Sequence, residues 1–226
     1  MAQTPSPQAA LFDLDGTLVD TSPDLWGALN HVLEKRGYPL LQHHEVRHLV
    51  GNGARVLCAR GFWGEESEPP EGDPDFEAAV QDFLAYYRDH LTDHSRPYPG
   101  VVETLTKLQK AGIAQAVVTN KPEDLSVRLL DELNLSRFFS TVIGGNTLPR
   151  RKPDPDPIFH ALKQLNATPA QGVMVGDSDT DAKAAQAAQC PLILVTYGYN
   201  RGLPVAEMNP DLVVDRFDEI NAFFSF

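Results

Sequence analysis

A chain of 226 residues is long enough for one substantial core, or for a core carrying a smaller insert, and too short for two full α/β enzymes. With 42% hydrophobic and 22% charged residues it has the make-up of a globular protein, and no apolar run approaches the roughly 18 residues that cross a bilayer. The formal net charge of -12, with no basic stripe, disfavours nucleic acid and anionic membranes as partners, so an anionic ligand must meet positive charge supplied locally.

Along the chain, Ala9 to Leu14 is a short apolar run that meets Asp13, Asp15 and the turn signal Asp15-Gly16 at its end, as a buried parallel strand would. Ser22-Pro23 then reads as an N-cap followed by proline at the first helical position, with Leu25, Leu29, Val32 and Leu33 on one face until Gly37. From Leu40 to Asp93 only helical periodicity is present, broken by Gly51-Asn52-Gly53 and by the acidic, proline-rich stretch Glu65 to Asp75, which is read as a loop without chemistry. After Tyr98-Pro99-Gly100 the pattern alternates. Helices are predicted over Val101 to Ala111, Pro122 to Leu133, Pro155 to Leu165 and Thr180 to Gln189. Strands are predicted over Ile113 to Val118, Thr141 to Ile143, Val173 to Val175, Leu192 to Val195 and Leu212 to Val214.

Such alternation implies an α/β fold with a parallel sheet covered on both faces. The expected organisation is a core made of residues 1–20 and 94–226, interrupted by an α-helical cap at 21–93. Met1 to Ala10 lacks the basic start and long apolar run of an export signal, so a cytoplasmic location is expected. Cys58 and Cys190 are isolated in apolar surroundings, with neither CxxC spacing nor clustered histidines, and read as buried thiols rather than zinc ligands.

In parallel sheets ligands bind beyond the carboxyl ends of the strands. Four predicted strand ends carry polar groups that can cooperate: Asp13 and Asp15; Thr119 and Asn120; Lys152, beyond Gly144-Gly145; and Asp177 with Asp181. Each alone has a plain structural reading. A DxD at a strand end is a turn or cap, acidic residues at a helix start are N-capping, and a lysine between arginines and a proline is ordinarily solvated. It is their order along one chain that chance does not readily produce.

The segments Asp13-Leu14-Asp15-Gly16-Thr17-Leu18, Thr119-Asn120-Lys121, Lys152-Pro153 and Gly176-Asp177-Ser178-Asp179-Thr180-Asp181 resemble the four motifs of the haloacid dehalogenase superfamily. That resemblance implies a Rossmann-like parallel-sheet core with a small helical cap. Gly51-Asn52-Gly53-Ala54, Lys152-Pro153-Asp154-Pro155-Asp156-Pro157 and Tyr197-Gly198-Tyr199-Asn200 are similar to segments of phosphoglycolate phosphatases, whereas sugar-phosphate phosphatases share much of the pattern.

The implied reaction is hydrolysis of a small phosphorylated metabolite, with 2-phosphoglycolate foremost, by a monomer or homodimer. Asp13 is expected to attack phosphorus and form an aspartyl-phosphate. Asp15 is expected to act as acid and then base, a role that needs it to carry a proton part of the time near neutral pH. Thr119, Lys152 and backbone amides would stabilise the phosphoryl charge, with Asn120 and Lys121 on the substrate. Mg²⁺ is the implied ion, held by Asp13, the carbonyl of Asp15 and Asp177, with Asp181 and Ser178 behind them. Within the insert, Asn52, Arg55 and His48 are the candidates to meet the rest of the substrate, set against the plainer readings of a turn and a surface charge. A phosphomutase and a receiver-like phospho-acceptor are the alternatives; the insert and Asp15 tell against the second.

Overall fold

The computed structural model describes residues 7–224. Six strands form one parallel sheet: β1 (Ala9–Phe12), β4 (Ala114–Val118), β5 (Thr141–Ile143), β6 (Gly172–Gly176), β7 (Leu192–Val195) and β8 (Leu212–Val214), in the order β5-β4-β1-β6-β7-β8. β1 lies between β4 and β6, so the strand order changes direction there and leaves a crevice at the strands' carboxyl ends.

The period-2 pattern divides the core into two layers. Ala10 and Phe12 of β1, Val117, Val173 and Val175, and Ile193 and Val195 point to one side. Ala9 and Leu11, Ala116 and Val118, Met174, and Leu192 and Leu194 point to the other. The first side is covered by α5 (Val101–Lys110) and α6 (Glu123–Glu132), the second by α7 (Asp156–Gln164) and α8 (Asp179–Ala188). Burying strands on both faces requires nearly continuous apolar runs, which is why they were readable as short blocks.

Four helices fill the long excursion after β1: α1 (Ser22–Lys35), α2 (His43–Arg47), α3 (Ala54–Trp63) and α4 (Pro74–Asp89). Their apolar faces, including Leu25, Leu29, Phe62, Val80 and Phe83, are continuous with the first sheet layer, so the insert shares a core with the sheet. The chain leaves and re-enters through a two-stranded antiparallel ribbon, β2 (Val19–Asp20) against β3 (Arg96–Pro97), which the sequence reading missed because two residues carry no periodicity. Asp24 clamps the re-entry: its carboxylate accepts from the His94 and Ser95 amides at 3.0 and 2.7 Å and from the Ser95 hydroxyl at 2.6 Å.

Some expectations need correction. Helix α1 is capped by Thr21 rather than Ser22, and without a side-chain cap bond. The Thr21 hydroxyl donates instead to Asp15 (2.8 Å), and that of Ser22 to Asp20 (2.7 Å), so both are recruited by the strand ends. The strand expected to reach Leu14 ends at Phe12, leaving Asp13 just past the ladder. The Glu65 to Asp75 stretch also has work to do. Asp73 caps α4, accepting from the Asp75 amide at 3.0 Å, while Glu65 and Glu66 each pair with Arg201 at 3.2 Å. Both cysteines are buried and free, their thiols pushed up to about 12 by burial. No helix among the described residues is long and apolar enough to cross a membrane.

Candidate active site

Ladder bonds continue one residue beyond two strands and hold the first groups of the site: the Asp13 amide donates to Val175 O and the Thr119 amide to Ile143 O, both at 2.9 Å. Asp13, Thr119 and Asp177 therefore stand side by side at the ends of β1, β4 and β6. Lys152 arrives from the loop after β5, and that loop must press against the turn after β4. At Gly145 a Cβ would fall 2.3 Å from Asn120 O, so only glycine permits the approach. Asn120 ties the two loops together by donating to Lys152 O (3.0 Å) and to Gly51 O of the helical insert (3.3 Å).

The Lys152 ammonium donates to Asp13 Oδ1 at 2.9 Å and to Asp181 Oδ1 at 2.6 Å, with all three side chains almost fully buried. The other oxygen of Asp181 accepts from the amides of Asp177 and Ser178 and from the Ser178 hydroxyl, at 3.1, 3.1 and 2.7 Å. Asp181 is thus anchored on both sides, with Ser178 directly behind it. Asp177 accepts from Thr17 Oγ1 (2.7 Å) and from the Tyr199 amide (2.5 Å). Here too a glycine is required: a Cβ on Gly198 would lie 2.2 Å from the Asp177 Cβ.

Asp13, Asp177 and Asp181 each present an oxygen within 4.8 Å of the others. Around the site the four carboxylates of Asp13, Asp15, Asp177 and Asp181 face only two ammonium groups, Lys121 and Lys152, a surplus of two negative charges. The electrostatics register that surplus. Burial, with Asp181 adding to it and Lys152 opposing it, pushes the Asp13 carboxyl up from 3.8 to about 7. Burial, with Asp181 and Asp13, holds the Asp177 carboxyl well above its ordinary range despite the donors around it. Burial works against the Lys152 ammonium, but Asp13 and Asp181 outweigh it and raise its affinity for the proton. A hard divalent cation fits this set in both donor type and charge, since every donor is oxygen and two positive charges are lacking.

Asp15 faces a different way. It accepts from Thr21 Oγ1 and from Lys121 Nζ, at 2.8 and 3.1 Å, and so stands free of the three converging carboxylates. Lys121 is buried, also donates to the Tyr87 hydroxyl, and lies 4.3 Å from the centre of the Tyr87 ring. Burial lowers its proton affinity, and the neighbouring Asp15 works in the opposite direction. Next to these groups is a narrow cavity of about 40 Å³, roofed by the helical insert.

Of the expected insert residues, none lines that cavity. Arg55 pairs with Glu77, donates to Pro70 O at 3.3 Å and lies over the Phe76 ring. Its neighbour Ala54 does line the cavity, and successive helical positions point about 100° apart, so Arg55 is turned towards α4. Asn52 bridges Arg60 (3.1 Å) and Thr180 (3.3 Å), joining the insert to the start of α8, and His48 is exposed. Sequence reasoning missed Thr17, Thr21, Tyr87 and Tyr199. The Tyr199 hydroxyl accepts from the amides of Thr21 and Ser22 and donates to Asp20 at 2.7 Å, pinning the start of α1 to the loop that carries Gly198. The Tyr197-Gly198-Tyr199-Asn200 segment was visible as a motif, but nothing in it announced these partners.

Residues 10–195 match the family model described as Haloacid dehalogenase-like hydrolase. The chain belongs to that family. Among curated relatives of this hydrolase, it is 43% identical over 217 residues to the phosphoglycolate phosphatase of Agrobacterium fabrum, covering 96% of this chain and 92% of the relative. It is likewise 43% identical to phosphoglycolate phosphatase 1 of Pseudomonas aeruginosa, covering 95% of this chain and 78% of the relative. A crystal structure of a predicted phosphoglycolate phosphatase from Haemophilus somnus superposes on the hydrolase with a TM-score of 0.89 at 36% identity, over 98% of this chain and 99% of that one.

Proposed function

We propose that this hydrolase is a Mg²⁺-dependent phosphomonoesterase whose principal substrate is 2-phosphoglycolate, cleaved to glycolate and phosphate. The observation that carries the reading is the convergence of Asp13, Asp177, Asp181 and Lys152 at the ends of β1 and β6, with Asp15 beside them but directed elsewhere. The names of the relatives support the substrate, and the narrow cavity favours a short ester.

Asp13 is the nucleophile: a carboxylate oxygen attacks phosphorus, forming an aspartyl-phosphate as the bond to the ester oxygen breaks. Asp15 gives that oxygen its proton, so glycolate departs as an alcohol rather than an alkoxide. Asp15, now charged, takes a proton from water as water attacks the aspartyl-phosphate, releasing phosphate and restoring Asp13. Lys152 supplies positive charge to the phosphoryl oxygens and holds Asp13 aimed; Thr119 and backbone amides at the ends of β1 and β4 donate to the same oxygens. Asp13 and Asp177 would hold Mg²⁺ together with the carbonyl of Asp15, while Asp181, fixed by Ser178, steadies Lys152 and completes the acidic set. When bound, the ion offsets the negative charge of these carboxylates and of the ester. Asn120 contributes by tying the Lys152 loop to residue 51 of the helical cap, which comprises residues 21–93 and closes over the cavity.

The test is phosphate release with Mg²⁺ from 2-phosphoglycolate, a set of sugar phosphates and p-nitrophenyl phosphate, with EDTA controls. Preference for 2-phosphoglycolate and loss of turnover in EDTA are expected. Preference for a sugar phosphate would keep the mechanism and reject the substrate; metal-independent release would reject the assignment of the acidic cluster.

A further inference from the structure

We propose that Lys121 is the specificity-determining residue of this site: its ammonium receives a carboxylate carried by the leaving group, so the enzyme selects acid phosphates over neutral phosphate esters of the same size. The inference rests on the phosphatase reading above and adds to it the group that recognises the non-phosphate half of the substrate.

The cations of the site divide by position. Lys152 is held between Asp13 and Asp181, on the side where phosphorus is attacked, and serves the phosphoryl group. Lys121 lies on the other side, against Asp15, and among the described residues lining the cavity it alone is cationic. Because Asp15 protonates the leaving oxygen, whatever is attached one carbon beyond that oxygen enters the neighbourhood of the ammonium that touches Asp15. An ammonium has three N–H donors, and that of Lys121 meets Asp15 Oδ1 at 3.1 Å, the Tyr87 hydroxyl and, at a long 3.5 Å, Asp15 Oδ2. The long third contact is the one a substrate carboxylate would replace.

No other described side chain of the lining is cationic, and Thr119 is engaged with the phosphoryl oxygens in the reading above. Leu25, Val50, Leu57, Phe83 and Leu125 are apolar, and Asn120 has its amide donors on Gly51 O and Lys152 O, with only an acceptor oxygen left unpartnered. Apolar walls strengthen a charge pair and penalise an unpaired one. A site built to pair a substrate charge therefore discriminates strongly against an analogue lacking it, where an apolar pocket alone would discriminate little. Arg151 is an alternative cation, its guanidinium beside Gly53 of the lining, but it is exposed to solvent.

The experiment compares kcat/KM for 2-phosphoglycolate and for 2-hydroxyethyl phosphate, its neutral analogue of similar size, in the wild type and in Lys121→Met, Lys121→Arg and Arg151→Ala. The ratio of the two values is the readout, because any damage done through Asp15 falls on both esters and cancels. The wild type should prefer the acid phosphate. Lys121→Met should lower the ratio by about 10- to 150-fold, carried mainly by KM, the range for losing a hydrogen bond to a charged group. Lys121→Arg, which retains the charge, should restore most of the ratio. If the methionine variant does not fold, Lys121→Gln takes its place. Equal losses on both esters, or a ratio lost in Arg151→Ala instead, would overturn the proposal, as would a wild type that cleaves both esters alike. A wild type that cleaves neither, nor any other ester, would instead reject the phosphatase reading itself.

Discussion

Replacing Asp13 by asparagine separates what this carboxylate does for the chemistry from what it costs the fold. Its carboxyl is pushed from 3.8 to about 7, chiefly by burial, so the folded chain holds the proton more tightly than the unfolded one. Stability from this group is therefore full below about pH 4 and is lost as the pH rises through about 7, because the ionised form is the one the buried site disfavours. The gap corresponds to about 4 kcal/mol, an upper bound. Asparagine, uncharged like the protonated carboxyl, removes that penalty; the pull of Lys152 on the ionised form is already contained in the shift. The net expectation in EDTA near pH 8 is a stabilisation of about 1–3 kcal/mol, seen as a rise in melting temperature of roughly 2–10 °C for a chain of this size. The gain should shrink as the pH falls from about 7 and nearly vanish below about pH 4, where Asp13 is protonated in the folded and unfolded chain alike. Phosphate release with Mg²⁺ should fall by about four orders of magnitude or more, since the nucleophile is gone. An Asp13→Asn variant that melts below the wild type near pH 8, or a difference that does not change with pH, would refute the electrostatic argument. Steady turnover in a preparation free of contaminating phosphatase would refute the nucleophile.

The opposite perturbation is Lys152→Met, which leaves Asp13 and Asp181 without the ammonium they share at 2.9 and 2.6 Å. Loss of turnover and a destabilisation of about 3–5 kcal/mol by urea unfolding in EDTA are expected, and an unchanged midpoint would contradict the buried-pair reading. Gly198→Ala places a Cβ 2.2 Å from that of Asp177 and must displace it. The Mg²⁺ concentration for half-maximal rate should rise by about 10-fold or more, and an unaltered metal dependence would show that Asp177 is not a ligand.

The sequence by itself determined the elements whose chemistry is local. Apolar blocks long enough for strands buried on both faces, amphipathic helices between them, and acidic residues directly after β1 and β6 were all readable in order, together with Lys152 after a glycine pair. So was the family, because those groups follow strands in a parallel sheet, and such sheets present their ligand sites at the carboxyl ends of the strands. Pairings set by partners far apart in the chain were not readable. Thr17 and Tyr199 converge on Asp177 from 160 and 22 residues away, and Tyr87 reaches Lys121 from the middle of an ordinary amphipathic helix. Arg55 shows the reverse case: a charge at the start of a helix beside the cavity looked like a substrate ligand, yet the rotation of one helical position sends it to Glu77. Local sequence dictates which way a backbone runs and which face is apolar. Which polar atom meets which depends on the packing of distant elements, and in this protein that packing alone placed Lys121 against Asp15 and left Asn52 bridging to α8.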